Sequence, residues 1–263
     1  MRLIERRLAP DLPIKWYPIY IARAGKLSAL ATQDLRSVYL RKNSSWGLLK
    51  RWLADASSQK CWYCEAKSTR APFDVDHFRP KLGVTVDGTK LVSHDGYHWL
   101  AYEWWNFRLS CQRCNRPEYE EQVLYGKANE FPIQDETKRC VLPASDLDLE
   151  IPRLLDPCVG SDCKLLAHGL DGEVKPSAAI GTWDFDRADY TIKLLGFNEW
   201  STPELKRGQW QTLSVIISLV GHAGDAQASI EIQKHLSAAH EYSSFFRSVI
   251  GIHRDKAWIQ ALI

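Results

Sequence analysis

Four cysteines and one aspartate–histidine pair are the residues of this chain whose types and spacing point most directly to chemistry. The chain reads C-W-Y-C at Cys61 and Cys64, F-D-V-D-H-F-R-P-K over residues 73–81, and W-L-A-Y-E-W-W-N-F-R-L-S-C-Q-R-C-N over residues 99–115. A Cys-x-x-Cys turn brings two thiolates to one tetrahedral zinc, with Zn–S bonds of about 2.3 Å, and two such turns complete an all-sulfur site. Cys61, Cys64, Cys111 and Cys114 are therefore the expected Zn2+ ligands. Four thiolates leave no open coordination position, so this zinc is expected to be structural. It would pin the two ends of the stretch together and bring His77 beside Asn115.

The chemistry then falls to the residues between and just beyond the knuckles. F-D-V-D-H reads as a strand, which sends the adjacent Asp76 and His77 to opposite faces. Asp76 is a hard oxygen ligand suited to Mg2+ or Mn2+. His77 titrates near neutrality and can act as a general base on water. Asn115 offers a second oxygen ligand, and Asn106 can fix the backbone or the orientation of His77. A carboxylate, an imidazole and an amide around one hard cation make a site for phosphodiester hydrolysis. The metal polarises the phosphate and the imidazole activates the nucleophile. The rival reading is a zinc-braced strand with no catalysis, in a nucleic-acid-binding module.

These residues carry a resemblance. The series D-H, N and C-x-x-C-N resembles the HNH (ββα-metal) nucleases, with His77, Asn106 and Asn115 in the three named positions. D-H-F-R-P-K and the long tryptophan-rich string ending in Asn115 are similar to the HNH subunit of Septu anti-phage systems, the PtuB-like proteins. Downstream, Phe131-Pro132-Ile133, Leu155-Asp156-Pro157-Cys158, Gly169-x-x-Gly172 and Thr191-Ile192-x-x-Leu195-Gly196-Phe197-Asn198 resemble that family's pattern. The resemblance implies a metal-dependent endonuclease acting on DNA in defence, with an ATPase partner. An RNA- or tRNA-cutting enzyme and a stand-alone restriction nuclease are the alternatives. One departure stands out. HNH proteins often carry a lysine shortly after the last asparagine, and here the run is Asn115-Arg116-Pro117-Glu118. Arg116 is the candidate replacement, and Pro117 is expected to shorten or kink the metal-binding helix.

The elements that position these groups follow from the rest of the chain. Its 263 residues, 45% hydrophobic and 25% charged, are ordinary for a globular protein. Net charge is +2, but it is unevenly spread. Residues 1–51 hold eleven Lys/Arg against Glu5, Asp11 and Asp34, a net of +8, and the remainder holds 23 basic and 29 acidic groups, a net of −6. A basic N-terminal surface is expected to meet either nucleic acid or an acidic protein partner. Seven cysteines, an odd count with paired knuckles and no signal-peptide pattern, point to a reducing cytoplasm. The longest apolar run, near residues 213–220, is far shorter than the ~20 residues of a membrane span.

The predicted architecture is mainly α with a small zinc-braced ββα-metal module, an α+β chain. Three regions are expected. Residues 1–57 form a basic arm, extended over 3–21 where Pro10, Pro13 and Pro18 fall, with helices over 27–40 and 46–56. Residues 58–130 form the nuclease module. Residues 131–263 are loop-rich to about 200, with a small hairpin near Gly169, and then helical. Ile230, Gln233, Leu236, Ala239, Tyr242, Phe246 and Val249 fall on one helical stripe.

Overall fold

A computed structural model describes residues 1–5, 12–68, 70–91, 93–120, 122–221 and 224–263. Part of the expected N-terminal arm, residues 6–11, lies outside them. The chain is a mixture of helices and two-stranded antiparallel sheets. No helix among the described residues is long and apolar enough to cross a membrane.

The N-terminal region begins with α1 (Trp16–Ser28), α2 (Gln33–Lys42) and, after a 3-10 turn at Ser45–Leu49, α3 (Lys50–Ala56). The expected boundaries shift here. Pro18 does not keep the chain extended, because it sits in the first turn of α1, where a missing N–H breaks no intrahelical bond. The expected 27–40 helix is instead two pieces. Thr32 caps α2 by accepting from the Leu35 amide, so Leu27 and Leu35 belong to different helices.

The central frame is β1 (Asp74–His77), a small hairpin of β2 (Thr85–Val86) and β3 (Thr89–Lys90), then β4 (Phe107–Ser110) and α4 (Gln112–Asn115). β1 and β4 pair antiparallel, with Asp76 opposite Arg108 and His77 opposite Phe107. α4 is one turn long. Arg116, the residue before Pro117, is extended at ψ 144°, as the proline ring demands of its predecessor. A second hairpin, β5 (Glu118–Glu120) with β6 (Val123–Tyr125), follows at once.

Beyond it come α5 (Gly160–Cys163), the expected hairpin as β7 (Leu166–His168) with β8 (Val174–Pro176), and α6 (Trp183–Leu194). α6 was not expected in a stretch read as loops. Thr182 caps it, and Ala188, Thr191 and Ile192 give it a buried face. The C-terminal part is α7 (Thr202–Val220), α8 (Ala226–Leu236), α9 (Ser243–Ile250) and α10 (Ala257–Gln260). The single stripe expected from Ile230 to Val249 is broken between α8 and α9, where Tyr242 takes a left-handed conformation, φ 52°.

Apolar clusters tie these elements together across the expected region boundaries. Trp16, Leu27, Leu40 and Leu53 of the N-terminal helices pack with Trp62, Val75, Phe107 and Leu109 of the central frame. Tyr63, Phe78 and Tyr97 pack with Phe131, Leu154, Ile192 and Phe197 on its other side. Trp210, Ile217, Ile232, Phe245 and Phe246 close a separate core between the last helices. The frame carrying the candidate site is thus gripped from both sides.

Candidate functional site

The first knuckle is a tight turn. The Cys61 amide donates to the Ala66 carbonyl at 2.9 Å, and Glu65 takes a left-handed conformation, φ 64°. The second begins at Cys111, whose amide donates to Cys61 Sγ at 3.3 Å, and continues into α4. The four sulfurs all lie within 4.8 Å of one another, and Cys64 and Cys111 approach to 3.8 Å. A zinc tetrahedron with bonds of about 2.3 Å has edges of about 3.8 Å, so the donor set fits Zn2+ in chemistry and in size. The cysteines form no disulfide. Glu65 anchors this cluster to α9. It accepts from Ser243 Oγ at 2.8 Å and from the Ser244 amide at 3.2 Å. Burial opposes its ionisation, but the N-terminal amine and Lys60 hold its carboxyl at about 2.

His77 ends β1 and is buried, 3% exposed, between the edges of Trp46 (4.9 Å) and Phe107 (5.0 Å). Its Nε2 lies 2.9 Å from the Ala101 carbonyl. A carbonyl only accepts, so Nε2 carries the proton and Nδ1 the lone pair. Burial first, and then the charge of Lys81, hold the imidazole well below its ordinary range, and it is therefore neutral. Asn106 sets this geometry at one remove. Its Oδ1 accepts from the Arg79 amide at 2.9 Å, and its Nδ2 donates to the Arg79 and Leu100 carbonyls at 3.0 and 3.4 Å. The loop after His77 is thereby tied to the loop that presents Ala101.

The other face of β1 carries two carboxylates. Asp76, 4% exposed, accepts from Lys127 Nζ at 2.9 Å and from Tyr63 at 2.7 Å, so both its oxygens are engaged. Lys127 also donates to the His77 carbonyl at 2.7 Å. Asp74 is the carboxylate beside Asn115, whose Nδ2 donates to it at 3.1 Å, and Arg116 grips the same carboxylate at 2.8 and 3.0 Å. Burial opposes the charge of Asp74, but Arg116 and Asn115 keep its carboxyl below the usual range.

No protein-family model matches the chain. The Septu protein PtuB of Bacillus mycoides (strain KBAB4) is 36% identical to it over 198 residues, 72% of this chain and 63% of that protein. The chain is PtuB-like. The Septu protein PtuA of the same organism is 28% identical over 113 residues, 42% of this chain and 14% of that protein. The PtuB-like chain therefore spans less than two thirds of the length of either relative. The expected resemblance to PtuB-like proteins is borne out by this match.

In this PtuB-like chain the structure brings the four cysteines together, sets Asn106 behind His77, and puts Asn115 against Asp74 rather than against Asp76. Asp74 was missed, although D-V-D-H alternates at the strand period and puts both carboxylates on one face. Lys127 had no local signal, being 51 residues from Asp76 and 50 from His77. Asp74 is a hard oxygen donor of the kind that suits Mg2+ or Mn2+, ions that keep several waters and need few protein ligands, and Asn115 turns its amide nitrogen toward it.

Proposed function

We propose that this chain is an HNH-type endonuclease that hydrolyses DNA phosphodiester bonds in a Septu anti-phage defence complex with an ATPase partner. The observation that carries the reading is the state of His77. It is a neutral imidazole with Nε2–H fixed by a backbone carbonyl and Nδ1 left as the acceptor, on the strand that also bears Asp74. That is what a general base on water requires. Asn106 preserves the orientation, and the zinc cluster fixes β4 and α4 relative to β1. A divalent cation held by Asp74, with the Asn115 amide turned to present its oxygen, or by Asp76 should Lys127 release it, would supply charge neutralisation at the phosphate. Working in the reducing cytoplasm would keep the zinc-binding thiols from forming disulfides. The three expected regions then divide as a basic substrate- or partner-facing part, a nuclease module and a helical support.

A second reading, a zinc-braced binding module without catalysis, is favoured by one feature: His77 is closed over by Trp46. One experiment separates the two. Supercoiled plasmid, single-stranded DNA and RNA are incubated with the chain, alone and with the proposed ATPase partner, in Mg2+ or Mn2+. His77→Ala should lower DNA cleavage by about 10² to 10⁴ while zinc content, melting and DNA binding persist. Cleavage by the variant at the wild-type rate would leave the binding module as the better reading, and preferred cutting of RNA would change the substrate.

A further inference from the structure

Lys81 is the fifth residue of the loop that starts at His77, and that loop is pinned almost residue by residue. The Phe78 amide donates to the Asn106 carbonyl at 2.8 Å, Arg79 is held by Asn106 and by Glu150 at 2.7 Å, and the Pro80 carbonyl accepts from the Tyr97 amide at 2.7 Å. The loop brings Lys81 Nζ to 3.3 Å from His77 Nδ1 and to 4.9 Å from the centre of the Trp46 ring. Nδ1 is the nitrogen that holds the lone pair, so the ammonium donates to it and caps the base. The carboxylate that attracts Lys81, Asp76, is already bonded to Lys127. A partly buried ammonium is thus held over an uncharged nitrogen, where a nearby anion would be a better partner.

We propose that Lys81 is a catalytic residue: it caps His77 Nδ1 at rest and moves its hydrogen bond to a non-bridging oxygen of the scissile phosphodiester when nucleic acid binds. This rests on the nuclease reading above. The position suits the step. A water bonded to Nδ1 and poised for in-line attack stands about 3–3.5 Å from phosphorus, which puts the phosphoryl oxygens within a rotamer change of Nζ. The water oxygen forms the new P–O bond as its proton passes to Nδ1. The bond from phosphorus to the leaving sugar oxygen breaks, and that oxygen takes a proton from solvent. Lys81 keeps its own protons throughout and donates to the oxygen that gains charge. Burial draws its ammonium down to about 8, which leaves it charged at neutral pH.

The test uses Lys81→Met, which keeps the aliphatic stem against Trp46 and removes the charge. Single-turnover cleavage by the full chain, with its ATPase partner present, should fall about 100-fold or more. Binding of the unmodified duplex without Mg2+ or Mn2+ should change less than about threefold, since one phosphate contact is a small part of a many-contact interface. Sulfur at one non-bridging position should slow the wild type more than the variant. Cleavage by Lys81→Met at or above the wild-type rate would overturn the proposal, the faster rate making Lys81 a cap only. Loss of zinc or a lowered melting temperature alongside activity would overturn it too, as a packing role. A wild type that cuts no nucleic acid sinks the nuclease reading itself, whereas a cutting wild type with an equally active variant sinks this proposal alone.

Discussion

The two polar clusters of the central frame balance their charge in opposite ways. At the knuckles four sulfurs converge within 4.8 Å of one another, and the cation near them is a single ammonium, that of Lys206 beside Cys64, among the described residues. Across β1 each carboxylate already has its cation, Lys127 for Asp76 and Arg116 for Asp74. The first arrangement is a socket whose size and chemistry suit a metal. The second is self-neutralised, so the proposed catalytic cation would have to displace a resident one. A structural site can hold its metal from folding onward, and a catalytic site that binds and releases substrate gains from having a stand-in.

The largest effect should come from the socket. Cys61→Ser or Cys111→Ser should release zinc and melt the frame, because binding free energies of about 10–16 kcal/mol at structural zinc sites are folding energy. Metal analysis and thermal melting on the same preparation check this, and a variant with full zinc and normal melting would collapse the contrast. Next in size is Asp76. Asp76→Ala strands Lys127 as a buried cation and should cost about 3–5 kcal/mol, most of it recovered in the Asp76→Ala, Lys127→Met double variant. Denaturant melts of the two single variants and the double variant measure the coupling. If Asp76→Ala is instead stable and inactive, Asp76 is a metal ligand as the sequence suggested.

Asp74→Ala should behave in the opposite sense. Its partner Arg116 is half exposed, and exposed pairs add little to stability. Melting and zinc content should stay close to wild type while cleavage in Mg2+ or Mn2+ drops by about 100-fold or more. A normal cleavage rate in Asp74→Ala would return the cation to Asp76.

What the sequence made legible divides along the same line. The cysteine ligands, the Asp-His pair and Asn115 are local in sequence, and Cys-x-x-Cys spacing states its chemistry outright. The balance of charge around them is not local. Lys127 reaches Asp76 through a turn where its own amide bonds the Cys114 carbonyl and where a Cβ at Gly126 would lie 1.9 Å from the Arg116 carbonyl oxygen. Nothing in the spacing from His77 to Lys127 announces that contact. The helices show the same limit. Pro18 reads as a breaker until its place in the first turn of α1 is known. The α8 and α9 stripe reads as continuous because periodicity does not record the left-handed Tyr242 between them.

The smallest expected effect tests the displacement idea most directly. Arg116 lies on the surface, grips Asp74 through Nε and Nη2, and follows Asn115, which donates to the same carboxylate. If a cation has to displace the guanidinium, removing it should help the metal. Arg116→Gln should bind Mn2+ more tightly by a small factor, about 2- to 5-fold, in keeping with the weakness of exposed ion pairs. Melting should be unchanged, and zinc should remain in the knuckles. Calorimetric titration of Mn2+ into the zinc-loaded protein reads the change, with Asp74→Ala as the control that should lose the site. Cleavage is a separate readout with its own sign: if the displaced Arg116 goes on to contact the substrate phosphate, the variant will bind metal more tightly and still cut more slowly. Weaker Mn2+ binding in Arg116→Gln would mean that the guanidinium orients Asp74 for the metal, and the carboxylate site would then be preorganised in the same sense as the socket.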